Sequence, residues 1–111
     1  MTDCLFCKII EGTIPSQTVY ADDQVVVFKD IHPKARVHVL VVPRQHVVSL
    51  DKMEAAPDGL LVHMMRLLPE IARAQGLHDG FRTIINTGPG GGQEVPHLHI
   101  HLLGGGPLPG F

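Results

Sequence analysis

The chain has 111 residues, of which 44% are hydrophobic and 18% are charged, and its formal net charge at pH 7 is −2. This length predicts one domain with a single core, and the dispersed lysines and arginines exclude the basic stripe that polymeric nucleic acid requires. No apolar run approaches the ~20 residues of a membrane span, and the chain starts without the pattern of a secretory signal, so we expect a cytoplasmic protein.

The first thirty residues change from a helical pattern to a strand pattern. Residues 4–11 place apolar side chains on one side of a short helix, and Gly12 follows as a stop. β-Branched and aromatic residues then predict strands at 18–20 and 24–29. The residues between them, 21–23, predict a hairpin turn that joins the two strands.

The middle of the chain predicts a buried strand and then a long helix. The run at 37–42 is apolar except for His38, which indicates a central strand with both faces covered. From 54 to 75, apolar residues recur at spacings of three and four, as on one face of an amphipathic helix. We interpret His63 and His78 as surface residues of this region.

Three histidines alternate with apolar residues near the C-terminal end. Residues 81–86 predict a fourth strand and residues 96–102 a fifth. Successive strand residues point to opposite faces, so His97, His99 and His101 should share one face and the intervening apolar residues the other. Such a row fits a metal site, a phosphate site with a histidine nucleophile, or, least well, a solvated face. The strand alone does not decide between metal and phosphate chemistry.

A glycine-rich loop at 86–94 lies directly before the histidine strand. It contains too much glycine to hold regular structure, and its backbone amides can approach a bound anion closely. We therefore expect exposed amides beside the row of imidazoles.

Cys4 and Cys7 form a Cys-x-x-Cys pair. A disulfide framework is disfavoured in a chain without signs of export, which leaves metal ligation, redox exchange or two ordinary thiols. The N-terminus lacks the βαβ setting of a thioredoxin-like redox pair. The pair alone supplies half of a zinc site, and the chain has 8 histidines from which the other half could come.

The predicted elements describe an α+β fold. A short helix, a hairpin, a strand, a long helix and two further strands predict a five-stranded, mainly antiparallel sheet with one short and one long helix, in a single domain at 1–111. The tail at 104–111 has no regular pattern. Its Leu108 and Phe111 favour docking at a dimer interface.

The histidine strand and several other segments resemble one known family. Residues 97–103 match the His-φ-His-φ-His-φ-φ signature, where φ is apolar, of the histidine triad (HIT) superfamily of nucleotide hydrolases and transferases. Further segments that resemble this superfamily, in the right order along the chain, are 6–10, 28–31, 38–43 and 91–93. Residues 103–105 resemble its histidine-triad nucleotide-binding (Hint) branch. The resemblance implies a HIT-like fold and a homodimer whose tail completes the partner's pocket.

The resemblance assigns catalytic roles to three histidines. His99 would be the nucleophile, because a neutral imidazole attacks phosphorus unaided when one ring nitrogen holds the proton and the other keeps its lone pair. Water would then hydrolyse the nucleotidyl-histidine. His101 would contact the phosphate or the leaving group and help to protonate it. His38 would assist in positioning or proton transfer, with a satisfied core histidine as the alternative.

The resemblance also implies a nucleotide site with apolar walls for a purine, a carboxylate for the ribose and loop groups for the phosphate. Its residues are Leu5, Phe6, Ile9, Phe28, Asp30, Ile31, Leu40, Asn86, Gly92, Gln93, Glu94, His99 and His101. Without the family, the apolar members would be assigned to the core. Glu94 departs from the Hint branch, which commonly has Ser or Thr there beside the leaving group, and the tail lacks the tryptophan of that branch.

In superfamily members that carry the cysteine pair, two thiolates and two histidines bind a structural zinc. The corresponding residues here are Cys4, Cys7, His46 and His97. This Cys2His2 set has no open position, so the metal would brace the N-terminal helix against the histidine strand. The resemblance implies no organic cofactor.

These expectations describe a hydrolase that cleaves at the α-phosphate of purine nucleotide conjugates of the adenosine 5′-monophosphoramidate type. The alternatives are a dinucleoside polyphosphate hydrolase and a non-catalytic, zinc-braced nucleotide-binding or interaction module. A nucleotidyltransferase is disfavoured because such members have Gln where this chain has His101. A membrane or a nucleic acid polymer is not expected as a partner.

Overall fold

The computed structural model of the protein describes residues 3–110, so the predicted role of Phe111 lies outside the described residues. The elements follow in the order α1 (Leu5–Ile10), β1 (Thr18–Ala21), β2 (Val25–Lys29), β3 (Val37–Pro43), α2 (Asp58–Ala74), β4 (Arg82–Ile84) and β5 (Ile100–Gly104). Short 3-10 turns lie at 50–52 and 89–91. Neither helix among the described residues is long and apolar enough to cross a membrane.

The strands form one antiparallel sheet in the order β1-β2-β3-β5-β4. β3 has a partner on each side, with Val41 opposite Val27 of β2 and Ile100 of β5. A strand that is paired on both edges and covered on both faces requires apolar side chains throughout, and every residue of β3 is buried. The predicted α+β fold, with β3 as a central strand, is confirmed.

The two faces of the sheet bury two separate apolar clusters. Leu98, Ile100 and Leu102 pack in the cluster beneath α2. Phe6 of α1 packs with Phe28 of β2 on the opposite face. Because alternate residues point to opposite faces, burying this apolar series under α2 turns the histidines between them towards α1.

Two predicted boundaries are wrong. α2 begins at Asp58 instead of 54, because Pro57 has extended backbone angles (φ −61°, ψ 144°) and the Ala56 N–H closes a separate turn onto the Met53 carbonyl. β4 covers only Arg82–Ile84 of the predicted 81–86, since its pairing with β5 stops there. Both elements are thus shorter than their apolar patterns.

The histidine strand also begins later than predicted. β5 pairs with β3 only from Ile100 onwards. Before that point the Leu98 N–H donates to the Val47 carbonyl oxygen, which lies in the segment after β3. His97 and His99 therefore precede the ladder of strand hydrogen bonds, whereas His101 lies within it.

Asp22 joins the β1–β2 hairpin to α2. Its carboxylate accepts hydrogen bonds from the Gln24 N–H at 2.8 Å, the Val25 N–H at 2.7 Å and the Tyr20 hydroxyl at 2.7 Å. It also lies 2.7 Å from Nε2 of His63 in α2. Burial works to raise the pKa of Asp22, but these hydrogen bonds outweigh it and hold that pKa well below its ordinary value. His63 thus makes a tertiary contact that its sequence pattern does not indicate.

Candidate functional site

The three alternating histidines lie together on the α1 face of the sheet. His97 and His99 are buried, and His101 is half-buried. The ring centroids of His99 and His101 are 5.0 Å apart, and those of Phe6 and His99 are also 5.0 Å apart, with the two rings nearly perpendicular. The structure therefore brings the predicted nucleophile, its histidine neighbour and an aromatic wall into one place.

His99 is held by the main chain. Its Nδ1 atom lies 2.7 Å from the carbonyl oxygen of His97. A carbonyl oxygen only accepts, so Nδ1 carries the proton of the neutral ring and donates it. The lone pair is then on Nε2. This is the protonation state that an imidazole nucleophile requires.

A chain of hydrogen bonds fixes the protons of His38 and His101. The Lys34 N–H donates to Nδ1 of His38 at 3.0 Å, so the proton of a neutral His38 is on Nε2. That Nε2–H donates a hydrogen bond to Nδ1 of His101 at 2.9 Å. The single N–H proton of a neutral His101 is consequently on its own Nε2. His38 therefore contacts His101 directly and is not an isolated core histidine.

Burial keeps both rings of this pair neutral. It lowers the pKa of His38, although the Asp30 carboxylate, 3.5 Å from Nε2 of His38, works in the opposite direction. Burial also lowers the pKa of His101, and the nearby rings of His99 and His38 add to the effect, so that it reaches about 4. At pH 7 His101 therefore presents a neutral N–H donor.

The glycine-rich loop uses several of its amides internally. The N–H groups of Gly91 and Gln93 both donate to the Gly88 carbonyl at 3.1 Å, and the Gly92 N–H donates to the Pro89 carbonyl at 3.1 Å. Gly88 and Gly92 have φ angles of +70° and +83°, which side chains other than glycine rarely adopt. The Gly92 and Gln93 amides that were predicted to hold a phosphate already have partners within the loop. A bound phosphate would share or displace them.

The residues predicted for the nucleoside fall into two groups. Phe6, Phe28 and Leu40 are buried in the cluster on the α1 face, with Ile9 packed against it. The members that lie outside this cluster are Leu5 and Ile31, which are exposed, Asp30 and Asn86, which are half-buried, and Glu94, which is exposed. Of the buried group, Phe6 packs directly against the ring of His99.

A cavity of about 770 Å³ opens beside Asp30 and His38. Ile31, which is 83% exposed, lies on its wall. The cavity also extends past Arg36 towards Gln75 beyond the end of α2. Two predicted nucleotide residues, Asp30 and Ile31, thus line an open volume large enough for a small ligand, and His99 and His101 are not among its lining residues.

The four predicted metal ligands converge between α1 and the segment before β5. Sγ of Cys4 lies 3.3 Å from Nδ1 of His97, and Sγ of Cys7 lies 3.3 Å from Nδ1 of His46 and 3.6 Å from Nδ1 of His97. Tetrahedral zinc, with bonds of about 2.3 Å to sulfur and about 2.0 Å to nitrogen, separates neighbouring S and N ligands by roughly 3.5 Å. The donor set and its spacing fit zinc.

His97 is arranged as a metal ligand should be. Its Nε2 lies 2.8 Å from the Pro43 carbonyl oxygen and donates to it, which leaves the lone pair on Nδ1 facing both sulfurs. Burial lowers the pKa of His97, although the bond to Pro43 opposes the shift. The imidazole is therefore neutral, as metal ligation requires.

Asp30, His38 and His101 form a second group of ligand-type atoms within 4.8 Å of one another. A metal on Nε2 of His38 would need the proton on Nδ1, where the Lys34 N–H already points. This second group is consequently built for hydrogen bonding between the two rings.

Two main-chain groups escaped the sequence analysis. The Lys34 N–H and the Pro43 carbonyl set the tautomers of His38 and His97, yet neither depends on its own side chain. A motif search reads side chains, so no sequence signal marks these groups. Their positions depend on how the chain enters and leaves β3.

Comparison with known proteins identifies relatives over almost the whole chain. The model of the HIT domain family matches residues 11–108. Protein HitA of Neisseria gonorrhoeae is 55% identical over 94% of this chain and 97% of its own length. The purine nucleoside phosphoramidase of Escherichia coli K12 is 43% identical over 96% of this chain and 90% of its own. A histidine triad protein from Clostridium difficile, solved at 0.95 Å, is 45% identical and superposes with a TM-score of 0.94 over 100% of this chain and 97% of its own.

Two further relatives are described by their zinc. A 14 kDa zinc-binding protein of Zea mays is 42% identical over 91% of this chain and 80% of its own length. A Zn-bound histidine triad family protein from Mycobacterium smegmatis is 36% identical, with a TM-score of 0.81, over 91% of this chain and 73% of its own. Zinc therefore occurs among proteins similar to this one.

Proposed function

Because the chain belongs to the HIT domain family, we propose that it is a hydrolase acting at the α-phosphate of purine nucleotide conjugates. The phosphoramidate class, of which adenosine 5′-monophosphoramidate is the simplest member, is the proposed substrate. The similarity to a purine nucleoside phosphoramidase supports this class. The reaction needs no organic cofactor, because the nucleophile is an amino acid side chain.

The observation that carries the proposal is the hydrogen bond from Nδ1 of His99 to the His97 carbonyl. It holds a buried imidazole with its lone pair on Nε2, which supports Nε2 as the attacking nitrogen. Nucleophilic catalysis depends on this lone pair.

The proposed reaction has two displacements at phosphorus. Nε2 of His99 forms a bond to the α-phosphorus, the bond from phosphorus to the leaving nitrogen breaks, and that nitrogen takes up a proton from solvent, to which the second step returns one. Water then attacks phosphorus, and the electron pair of the bond to His99 returns to Nε2. Over both steps one water supplies the proton of the released amine and the oxygen of the released nucleoside monophosphate.

His101 serves this reaction as a hydrogen-bond donor. Its Nε2–H would meet a phosphate oxygen, where negative charge is stabilised as the transition state forms. With a pKa of about 4, the ring is neutral at pH 7 and gives up its remaining proton too reluctantly to protonate an amine. His38 holds the tautomer of His101 and is a positioning residue.

The nucleoside is proposed to lie over the apolar floor next to His99. Phe6 and Phe28, whose rings meet edge to face with centroids 5.4 Å apart, give a purine an aromatic surface. Asp30 would accept hydrogen bonds from the ribose hydroxyls, with one of its oxygens already fixed by the His32 N–H at 2.8 Å. Glu94, exposed after the glycine-rich loop, would face the leaving group and favour leaving groups that carry an amine.

Zinc is proposed to be structural. Cys4, Cys7, His46 and His97 would fill its four positions, which leaves none for substrate or water. When bound, the metal supplies a cross-link between α1, the segment after β3 and the residues before β5. No step of the reaction passes through it.

A second copy of the chain is the proposed partner. β4 lies at an edge of the sheet, and an edge strand can pair with a strand of another chain. On α2, Val62 and Met65 are exposed by 51% and 47%, and Phe81 before β4 by 41%. Leu108, in the tail, is half-buried. These features support a homodimer whose tails complete the partner's pockets.

The test is a substrate panel. Adenosine 5′-monophosphoramidate, a guanosine counterpart and a diadenosine polyphosphate are incubated with wild-type protein, His99→Ala and the matched control His78→Ala. We expect release of nucleoside monophosphate from the phosphoramidates by wild type and by His78→Ala, and a loss of at least about 10³-fold in His99→Ala. Rapid acid-free quenching and mass spectrometry should find the nucleotide on His99.

Each other outcome identifies a different function. Faster turnover of the diadenosine polyphosphate would replace the phosphoramidase proposal with a polyphosphate hydrolase. Turnover that is unchanged in His99→Ala would contradict the covalent mechanism. Tight nucleotide binding without any turnover would leave a zinc-braced binding module.

A further inference from the structure

The side chain of Gln93 makes three hydrogen bonds, all to main-chain groups. Its Oε1 accepts from the Gly88 N–H at 2.9 Å. Its Nε2 donates to the Val48 carbonyl at 2.7 Å and to the Val95 carbonyl at 2.9 Å. Both protons of the amide and one of its acceptor sites are thus engaged, so the side chain has little left to offer a substrate.

The three partners lie at the ends of different functional segments. Gly88 begins the turn of the glycine-rich loop, and its carbonyl accepts from two amides of that loop. Val48 lies two residues after His46, and Val95 lies two residues before His97. One planar amide group therefore ties the loop to the segments that carry both histidine ligands of the proposed metal site.

We infer that Gln93 is a positioning residue that holds the glycine-rich loop and the two histidine segments in one fixed arrangement, and does not bind the nucleotide through its side chain. This inference rests on the proposed function only for its effect on turnover. The three hydrogen bonds of the Gln93 side chain, here called the clamp, are a property of the free protein. Its amide geometry is what makes Gln necessary, because one acceptor and two donors must emerge from a single planar group.

The clamp explains how the loop keeps its shape although Gly88 and Gly92 have positive φ angles. The 3-10 turn at 89–91 is closed by hydrogen bonds to the Gly88 and Pro89 carbonyls. The Gln93 amide connects the loop to Val48, in the segment that follows β3. A shift of about 1 Å in groups that hold a reacting phosphate can reduce the rate on the order of 10²-fold.

The test uses Gln93→Met, which keeps the length of the side chain and removes every hydrogen bond. Exchange of the Gly88 amide proton, followed by NMR, should accelerate at least about tenfold because its acceptor is lost. Zinc release to a chromophoric chelator should accelerate by about 10-fold or more, as for other losses of outer support to metal ligands. The kcat for a phosphoramidate should fall by about 10²-fold while KM changes little.

Gln93→Glu separates the hydrogen bond made by Oε1 from the two made by Nε2. It also keeps the inference testable if Gln93→Met fails to fold. A carboxylate still accepts from the Gly88 N–H but repels the carbonyls of Val48 and Val95. Gly88 should therefore stay protected while zinc release accelerates. Gln45→Met is the matched control, since Gln45 is exposed, lies beside His46 and makes only a 3.4 Å bond to the Ala55 carbonyl.

The inference fails if Gly88 exchange and zinc release in Gln93→Met equal those of Gln45→Met. A large rise in KM with unchanged exchange would instead assign Gln93 to the substrate and would also overturn the inference. If wild type turns over no nucleotide, the proposed function fails, yet exchange and zinc release still decide whether the clamp exists.

Discussion

Nε2 of His38 lies 2.9 Å from Nδ1 of His101, and the His38 ring is itself fixed by the Lys34 N–H. The Lys34 N–H thus fixes the proton of His38 on Nε2, and His38 in turn fixes the proton of His101 on its own Nε2. Lys34 is a loop residue whose amide, not its side chain, orders this relay. Proton positions in the site are therefore set before any ligand arrives.

The first prediction concerns the pKa of His101. Ring-proton NMR should find it near 4, below the ordinary 6.5, because burial and the facing rings of His99 and His38 disfavour the cation more than Asp30 favours it. His38→Ala removes one repelling ring and admits water, so the pKa of His101 should rise towards 6.5. His78→Ala should leave it unchanged. A wild-type value near 6.5 would contradict the buried pair.

This shift also sets a direction for stability. Between pH 6.5 and about 4 the unfolded chain binds a proton at His101 that the folded ring does not bind. The free energy of unfolding should therefore fall as the pH drops through this range. In His101→Gln, this part of the pH dependence should be absent from urea unfolding curves.

The second prediction concerns the tautomer of His99. Nitrogen-15 chemical shifts should show a protonated Nδ1 and an unprotonated Nε2 in the neutral ring, because the His97 carbonyl accepts from Nδ1. Isolated histidine favours the other tautomer, so the signal is distinctive. A protonated Nε2 in the free protein would remove the nucleophile.

The third prediction concerns the metal. Untagged protein should contain about one zinc per chain, and Cys7→Ser should lose most of it, because Cys7 faces both ligand histidines. The Tm of the variant should fall by about 10 °C, as expected for losing a cross-link worth a few kcal/mol in a domain of this size. Chelation of wild type should reproduce the decrease, and zinc but not magnesium should reverse it. An unchanged Tm after complete zinc removal would contradict the bracing role.

The fourth prediction concerns Asp22. Asp22→Asn should lower the free energy of unfolding at pH 7 by about 1–3 kcal/mol, because the carboxylate accepts several hydrogen bonds, including the contact with His63. The pKa of Asp22 is lower in the folded protein than its ordinary value of 3.8. The contribution of Asp22 to the free energy of unfolding is therefore complete above pH 3.8 and is lost as the pH falls below that value. Urea unfolding should show the gap between wild type and variant narrowing at pH 3. Asp23→Asn, an exposed neighbour, should cost less than about 0.5 kcal/mol.

The fifth prediction concerns the dimer. Val62→Glu places a charge on the exposed apolar side of α2 and should convert a dimer to a monomer in light scattering. Val48→Glu is the matched control, because Val48 is exposed to a similar extent, 44%, in another segment. A wild-type monomer, or a dimer that survives both changes, would remove α2 from the interface.

Much of the site was predictable because alternation along a strand is a strong physical constraint. Leu98, Ile100 and Leu102 require the core, and their burial alone decides that the histidines between them face the other way. The central position of β3 followed from its lack of polar residues. The gathering of the four Cys and His ligands followed from the family resemblance, since spacing along the chain identified only the two cysteines.

The rest depends on long-range contacts that local patterns do not encode. The contact between Asp22 and His63 joins residues 41 apart and looks, in sequence, like an ordinary turn and an ordinary helix surface. The amides of Gly92 and Gln93 were expected to be exposed, but the chain forms a turn there and both amides donate to carbonyls of the same loop. The late start of β5 at Ile100 arises because Leu98 bonds to Val47 outside the sheet ladder.

His97 serves two neighbours through two chemically independent parts of one residue. Its imidazole faces the sulfurs, whereas its peptide oxygen orients His99. Every amino acid carries that oxygen, so His97→Asn would remove the proposed zinc ligand and preserve the acceptor. One substitution at this position therefore separates metal binding from the tautomer of His99.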